Sequence, residues 1–180
     1  MKYKKNQKIV LVSPRASTGK NMIRRVQPPL GLISIAAVLE DKGYKNVKVY
    51  DALIENYDNV QPHEEAPEDL ITFGASNSEM IKKLKIFQPD LVGVSSLFSS
   101  QVSQAFSFCR AVKEAFPEVP VVLGGIHASD KCIEIMTEEP SIDYIVTGEA
   151  DYTFVEFVEH LFGNGNIESV DGLIWRENGE

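Results

Sequence analysis

Short apolar runs rich in β-branched residues alternate with segments of helical periodicity, and this alternation constrains the fold more than any other feature. The apolar runs lie at 9–12, 47–50, 91–94, 121–123 and 144–146. The helical segments lie at 30–42, 78–87, 102–116, 132–136 and 154–162. Five strands alternating with five helices predict a parallel sheet joined by right-handed crossovers.

The second apolar run differs from the others and predicts the strand order. Residues 47–50 alternate apolar and polar side chains, as an edge strand does, whereas continuous runs suit strands covered on both faces. We therefore predict an α/β, flavodoxin-like (Rossmann-like) doubly wound sheet of five parallel strands in the order 2-1-3-4-5. The segment 30–42 is apolar nearly all round, which predicts a buried helix ended by Gly43. Ser99 or Ser100 and Asp151 are the expected N-caps of the third and last of the longer helices.

The predicted domain organisation has one main unit with two additions. Residues 1–7 form a basic tail, and 8–167 form the α/β domain. Within it, 52–76 is a long acidic excursion, and connections of that length are uncommon unless functional or disordered. Residues 168–180 resemble a truncated hairpin, with a strand at 170–176 and a turn at Asn178-Gly179, so we expect the parent protein to continue.

Composition excludes several classes of protein. The net charge of the 180-residue chain is -8, which argues against a nucleic-acid-binding surface. Apolar runs fall short of the roughly 20 residues of a membrane span, and the N-terminus lacks a signal-peptide core, so the cytoplasm is the expected location. The spacing of Cys109 and Cys132 fits neither a disulfide framework nor a metal site.

Four loops should build the ligand site, because open parallel sheets bind ligands beyond the carboxyl ends of their strands. These loops are 13–29, 95–100, 124–129 and 147–151. They are rich in serine, glycine and threonine, which suits a cradle for a large neutral or anionic ligand and does not suit hydrolytic catalysis.

Two pairs of small residues are the leading candidates in these loops. Gly124-Gly125 follows the fourth strand and would let a flat ring lie against the backbone, although a plain strand-to-helix turn explains it equally well. Ser95 and Ser96 end the third strand, where a hydroxyl can bond a buried heteroatom. Helix capping is the alternative role for these serines.

Two titratable residues are weaker candidates for ligand contacts. His127 is a possible ligand contact, although a lone histidine is usually structural. Glu149 either accepts a hydrogen bond from a sugar hydroxyl or, as a negative charge near a helix N-terminus, interacts favourably with the helix dipole.

The segment Ser17–Lys20 is similar to a phosphate loop, but Pro14 stands where that motif needs a glycine. The chain also lacks G-x-G-x-x-G after its first strand and any G-x-S-x-G elbow.

These loops together resemble a known family. Ser95-x-Leu97, 26 further residues and then Gly124-Gly125 are similar to the second half of the motif of cobalamin (vitamin B12) domains that bind the cofactor with its nucleotide tail detached. The segments that carry a closer resemblance, to the N-terminal domains of B12-dependent radical-SAM proteins, are Pro28-Pro29-Leu30-Gly31-Leu32, Gly124-Gly125-Ile126-His127-Ala128 and Asp143-Tyr144-Ile145-Val146-Thr147-Gly148-Glu149. The resemblance runs from about Lys8 to Trp175.

The resemblance implies a cobalamin-binding function and a set of contact residues. These are Ser13, Pro29, Leu30, Gly31, Ser95, Ser96, Leu97, Phe98, Gly124, Gly125, Ile126, His127, Thr147, Gly148 and Glu149. The family's D-x-H-x-x-G motif is missing from the loop at 13–19, so that loop offers no histidine to cobalt and we expect base-off/His-off binding without protein metal ligands.

The resemblance also implies a partner domain, which would hold S-adenosylmethionine and a 4Fe-4S cluster on a C-x-x-x-C-x-x-C motif. This chain lacks that motif, so by itself it should bind cobalamin without catalysing a reaction, within a radical-SAM methyltransferase or cyclase. Two alternatives stay open: a degenerate B12-like interaction module without cofactor, and a flavodoxin-like FMN carrier. The substrate, the oligomeric state and the role of 52–76 are not determined by the sequence.

Overall fold

A computed structural model describes residues 5–97, 101–163 and 165–176. Strands and helices alternate through these ranges. In chain order they are β1 (Lys8–Ser13), β2 (Ala16–Gly19), α1 (Leu30–Asp41), β3 (Asn46–Asp51), α2 (Ala52–Glu55), β4 (Val60–Pro62), β5 (Leu70–Phe73), α3 (Asn77–Phe87), β6 (Leu91–Ser95), α4 (Val102–Ala115), β7 (Val121–Gly124), α5 (Ile126–Asp130), α6 (Cys132–Glu138), β8 (Tyr144–Val146), α7 (Ala150–Phe162), a 3-10 helix (Ile167–Ser169) and β9 (Leu173–Trp175).

The central sheet has the predicted order. Strands β3, β1, β6, β7 and β8 lie side by side and parallel, which is the order 2-1-3-4-5 of the five apolar runs. Val10 of β1 pairs with Lys48 of β3 on one side and with Val92 of β6 on the other. The alternating strand β3 lies at the edge of the sheet, so both the fold class and the edge position are confirmed.

Each face of the sheet carries its own core. Ile9 and Leu11 of β1 pack in a cluster with residues of α1 and α7, whereas Val10 and Val12 pack in a cluster with residues of α3 and α4. Successive strand residues point to opposite faces, so a strand covered on both sides needs apolar residues at every position. This requirement explains the continuous run at 9–12.

Helix α1 is less buried than its composition suggests. Leu32, Ile35 and Leu39 are buried, but Leu30 is 71% exposed and Ile33 is 45% exposed, so the prediction of a helix buried all round is wrong. One side of α1 packs on the sheet and α7, and the other side has no covering element among the described residues. The helix ends as predicted at Gly43, which has a φ of 97° that favours glycine.

Of the two predicted N-caps, one is wrong and the other falls outside the described residues. Helix α7 begins at Ala150, so Asp151 lies inside its first turn and Glu149 takes the N-cap position without a side-chain cap bond. The expectation that Asp151 is the N-cap is therefore wrong. Ser99 and Ser100 lie outside the described residues.

A second, smaller sheet occupies the region predicted as a long connection. Strands β2, β5 and β4 pair antiparallel, with Phe73 of β5 opposite both Ala16 and Val60. Phe73 is buried together with Ala16 and Leu53. The excursion at 52–76 thus has regular structure, and β2 belongs to a segment that we predicted as part of a loop. Strands of three or four residues that pair across long sequence separations leave little periodic pattern to detect.

The described C-terminal residues add a sixth strand to the central sheet. β9 pairs antiparallel with β8, with Ile174 opposite Ile145. Arg176 donates hydrogen bonds to the main-chain oxygens of Met136 and Glu139 beyond this strand. The predicted strand at 170–176 is therefore present but shorter, and the Asn178-Gly179 turn lies outside the described residues.

The two cysteines are free thiols in different surroundings. Cys109 is buried and Cys132 is half-buried, and burial raises the pKa of the Cys109 thiol. In the described ranges we find neither a helix long and apolar enough to cross a membrane nor a group of three or more His, Cys, Asp or Glu side chains placed to hold a metal ion.

A capping box at the start of α3 predicts a pH-dependent contribution to stability. The Glu79 backbone N–H donates to the Ser76 hydroxyl oxygen, and the Ser76 backbone N–H donates to Glu79 Oε2 at 2.8 Å. The bonds from Ser76, together with those from the Asn56 and Asn59 side-chain amides, lower the pKa of Glu79 from its ordinary value of 4.5 to about 2. Because the folded-state pKa is lowered, the contribution is fully present above the unfolded pKa and is lost as the pH falls toward about 2.

We therefore expect Glu79→Gln to lower the free energy of unfolding by about 1 kcal/mol at pH 7, a modest value because the side chain is partly screened by solvent. The difference from the wild-type protein should shrink in urea titrations at pH 3. Glu114→Gln, at an exposed position on α4, is the control. An equal cost for Glu79→Gln at both pH values would contradict this assignment.

Candidate functional site

A deep cleft opens at the carboxyl ends of the parallel strands. Its volume is about 1180 Å³, above the roughly 300–1,000 Å³ of pockets for drug-sized molecules. Its walls come from the segments that follow β1, β6, β7 and β8. Its position agrees with the prediction that these loops would meet at one edge of the sheet.

Most of the predicted contact residues lie around this cleft. They are Ser13, Pro29, Leu30, Gly31, Ser95, Leu97, Gly124, Gly125, Ile126, Gly148 and Glu149. Ser96, His127 and Thr147 are not among the lining residues, and Phe98 lies outside the described part of the chain. Whether the lining residues contact a ligand stays a prediction.

The serine and glycine loops meet directly. Ser95 at the end of β6 is paired in register with Gly124 at the end of β7. The Ser96 backbone N–H also donates to the Gly124 carbonyl oxygen at 2.7 Å. Ser95 and Gly124 are therefore neighbours on the same side of the molecule, with their shared edge open to the cleft.

The two adjacent glycines have different physical roles. A Cβ atom on Gly124 would lie 3.8 Å from its nearest neighbour, the Val146 carbonyl oxygen, so the space above Gly124 is open. Gly125 has a φ of 114°, and a Cβ atom there would lie 2.5 Å from the Ser96 carbonyl oxygen. Gly124 thus keeps room inside the cleft, whereas Gly125 permits the close approach of two loops.

The floor of the cleft is apolar, and sequence reasoning missed its central residue. Leu11, Gly93, Val122 and Phe154 line the cleft. A Cβ atom on Gly93 would lie 2.8 Å from Leu11 Cδ2 and 3.4 Å from the Phe154 ring. A glycine interrupting a buried strand often marks a close approach, and this signal could have identified Gly93.

Ser129 joins two of the loops and was also missed as a candidate. Its hydroxyl donates to the Gly125 carbonyl oxygen at 3.1 Å and accepts the Gly148 backbone N–H at 3.1 Å. A single side chain therefore fixes the distance between the loop after β7 and the loop after β8. Ser129 lies within the short helix α5, and a serine there carries no sequence signal for a contact with Gly148.

Two predicted contacts, Thr147 and Ser96, lie near the cleft without belonging to its lining. Thr147 donates its hydroxyl to the Gly172 carbonyl oxygen at 2.9 Å, which ties the loop after β8 to the turn before β9. Ser96 is 1% exposed, and its hydroxyl has no hydrogen-bond partner within the described ranges. Thr147 thus supports the wall of the cleft from behind.

A buried carboxylate supports Ser13 at the end of β1. Burial raises the pKa of Asp51, at the end of neighbouring β3, while bonds from the Leu53 backbone N–H and the Ser13 hydroxyl act in the opposite direction. The Leu53 bond measures 3.0 Å. Asp51 therefore links β3, α2 and the Ser13 edge of the cleft.

The histidines lie away from the lining of the cleft as far as the structure describes it. His63 is buried in the excursion, where its Nδ1 accepts the Glu65 backbone N–H at 3.2 Å. His160 lies on α7 with its Nε2 3.9 Å from a Glu156 carboxylate oxygen. His127 is half-buried on α5.

The fold is that of a doubly wound α/β domain, and its cleft lies at the carboxyl ends of the parallel strands, the edge at which such sheets bind ligands. The family model described as the B12 binding domain matches residues 21–158 of this chain. That match covers more than half of the chain, so the chain belongs to the B12-binding domain family, and the predicted resemblance is confirmed.

Several curated proteins are similar to nearly the whole chain. A cytidylyl-2-hydroxyethylphosphonate methyltransferase of Streptomyces wedmorensis is 36% identical over 95% of this chain and 32% of its own length. An anaerobic magnesium-protoporphyrin IX monomethyl ester cyclase of Synechocystis is 27% identical over 94% of this chain and 30% of its own length. The chain thus spans about a third of the length of these relatives.

A solved structure has the same fold. It is described as the cobalamin-dependent S-adenosylmethionine radical enzyme OxsB with aqua-cobalamin bound, and it matches 97% of this chain and 22% of its own chain with a TM-score of 0.70. At 18% identity, this likeness concerns the fold alone.

Proposed function

We propose that this chain binds cobalamin base-off/His-off in the cleft at the carboxyl edge of the sheet, as the cofactor-holding domain of a radical-SAM methyltransferase or cyclase. The observation that carries the proposal is the direct pairing of Ser95 with Gly124 at a deep cleft whose space above Gly124 is open. Membership of the B12-binding domain family supports the choice of cofactor.

The chemistry of the cleft fits cobalamin. Its apolar floor of Leu11, Val122 and Phe154 suits a buried aromatic base, because burial of apolar surface is favourable and a neutral base carries no charge to desolvate. The serine hydroxyl of Ser95 can hydrogen-bond a ring nitrogen of that base. Backbone N–H groups of glycine-rich loops can bind the phosphate.

In this proposal the protein binds and orients the cofactor and excludes water from one face of the corrin ring. The exposed apolar side chains of Leu30, Leu97 and Ile126 lie on the rim of the cleft, where they can cover a corrin. When bound, cobalamin supplies a reactive methyl group or a redox-active cobalt.

Base-off/His-off binding is supported by the distribution of the imidazoles. All three histidines are described, and none belongs to the described lining of the cleft. Cobalt would then have no nitrogen ligand from this chain. Of the remaining predicted contacts, Ser96, His127 and Thr147 are not among the lining residues and Phe98 lies outside the described residues, so their contact with the cofactor stays a prediction.

The proposed radical-SAM context rests on the relatives. Their names include a methyltransferase and a cyclase, and this chain matches about a third of their length. S-adenosylmethionine and the 4Fe-4S cluster would be held by a further domain of the parent protein. That domain would face the open side of the cleft.

Equilibrium dialysis and spectroscopy with hydroxocobalamin test the proposal. We expect saturable binding with a Kd well below about 100 μM, which is weak on the usual affinity scale. The electron paramagnetic resonance spectrum of the bound, reduced Co(II) form should lack splitting from an axial nitrogen. Nitrogen splitting would contradict the base-off/His-off assignment.

The same experiment separates the alternatives. Failure to bind at about 100 μM free cofactor would favour a degenerate interaction module without cofactor. Purified protein that is yellow and binds FMN instead would favour a flavodoxin-like carrier.

A further inference from the structure

The charged residues of the cleft are distributed unevenly. Arg25 is the one cationic side chain among the described lining residues. The acidic lining residues Asp130, Glu149 and Asp151 come from the segments after β7 and β8. Arg25 comes from the segment that follows β1 and β2, and β1 is separated from β8 in the sheet by β6 and β7. The one described cation and the three acidic residues thus come from different segments of the lining, which we call the cationic wall and the acidic wall.

The small sheet fixes which side chains form the cationic wall. Arg24 donates to the Tyr57 carbonyl oxygen at 2.7 Å, and its guanidinium lies 4.2 Å from the centre of the Tyr57 ring. Val26 packs against the buried cluster that contains Phe73. Tyr57 lies just before β4, and the Arg24 guanidinium also lies 5.8 Å from the centre of the Phe73 ring of β5. Both neighbours of Arg25 thus contact the region of the small sheet, while Arg25 and Gln27 line the cleft. Successive side chains of this segment therefore point alternately toward the small-sheet region and toward the cleft, as in an extended chain.

Arg25 also differs from the other arginines in having no hydrogen-bond or ion-pair partner in the described part of the chain. Arg15 donates to Gln104, Arg24 to Tyr57, Arg110 to Glu139 and Arg176 to main-chain oxygens. Arg25 makes no hydrogen bond or ion pair with the described residues, although the chain carries a net charge of -8. The protein has acidic groups available for pairing, and the fold presents this guanidinium to the cleft instead.

We propose that Arg25 binds the phosphodiester of the cobalamin nucleotide tail, and that the small sheet serves to present it. This inference rests on the proposed function. The phosphodiester is the anionic group of the nucleotide tail, whereas the corrin side chains are neutral amides. The planar guanidinium matches phosphate oxygens in a two-pronged geometry. The acidic wall can then accept hydrogen bonds from the amide groups of the ring.

The experiment compares two ligands that differ in the tail. Hydroxocobalamin carries the phosphodiester, and hydroxocobinamide has the same corrin without the nucleotide tail. We expect Arg25→Gln to weaken binding of hydroxocobalamin about tenfold and to leave binding of hydroxocobinamide unchanged. The difference between Arg25→Gln and wild type should decrease in 1 M salt, where screening is strong. Lys82→Gln, at an exposed position on α3, matches the change in charge and should alter neither affinity.

The anchoring of the segment that carries Arg25 is tested by Tyr57→Ala. This change removes the ring against the Arg24 guanidinium and the hydroxyl that donates to the Arg24 carbonyl oxygen, and it leaves the Tyr57 carbonyl oxygen in place. We expect this variant to weaken hydroxocobalamin selectively, as Arg25→Gln does, with circular dichroism confirming that the domain is folded. Wild-type affinity for hydroxocobalamin in Tyr57→Ala would overturn the presenting role.

The outcomes separate this inference from the proposed function. If wild type binds hydroxocobalamin and Arg25→Gln binds it equally well, the phosphodiester assignment is overturned and cobalamin binding stands. An equal loss for both ligands would place Arg25 against the corrin and also overturn the assignment. If wild type binds neither ligand, the proposed function fails and the inference fails with it.

Discussion

Gly124→Leu is expected to weaken hydroxocobalamin binding by about 100-fold or more, which corresponds to a loss of about 2.7 kcal/mol. The end of β7 is open above Gly124, where a Cβ atom would have no neighbour closer than 3.8 Å. The Cβ atom of a leucine would therefore lie in open space beside the cleft, and we expect the rest of the side chain to occupy the volume proposed for the cofactor. The free energy of unfolding should change by no more than about 0.5 kcal/mol. Equilibrium dialysis and urea titration measure the two quantities.

The control adds the same side chain outside the cleft. Ala37→Leu, at an exposed position on α1, should leave hydroxocobalamin binding unchanged. Wild-type affinity in Gly124→Leu would show that the cofactor does not lie over the end of β7, and the proposed site would have to be abandoned.

Gly125→Ala is expected to lower the free energy of unfolding by about 3 kcal/mol. Its backbone has a φ of 114°, where side chains other than hydrogen are strained, and the new Cβ atom would lie 2.5 Å from the Ser96 carbonyl oxygen. The obstacle is main chain, so rotation of a side chain cannot relieve the contact. Urea titration followed by circular dichroism measures the loss.

Gly124→Ala provides the matched control one residue earlier. It removes the same conformational freedom at a strand position with open space, so its unfolding free energy should stay within about 0.5 kcal/mol of wild type. If Gly125→Ala proved as stable as Gly124→Ala, the close approach between the loops after β6 and β7 would not exist in solution.

Local sequence patterns were sufficient to predict the central sheet. The continuous apolar runs and the alternating run at 47–50 together predicted both the parallel fold and the order β3-β1-β6-β7-β8. Parallel strands bring their carboxyl ends to one edge, so the meeting of Ser95 and Gly124 followed from the strand order. The segments that resemble those of cobalamin-binding domains, in the same order along the chain, then indicated the kind of ligand.

Only the tertiary structure decided the remaining features, because they depend on contacts between residues far apart in the chain. Nothing local predicts that β2 pairs with β5, and without that pairing the segment that carries Arg25 has no defined face. The exposed side of α1 and the place of β9 beside β8 likewise depend on which elements are available as neighbours. The sequence by itself determined the sheet, the edge at which its loops meet and the family, since periodicity and short motifs are local. The charge distribution of the cleft and the support behind its walls were decided by the assembled fold, since both are set by long-range packing.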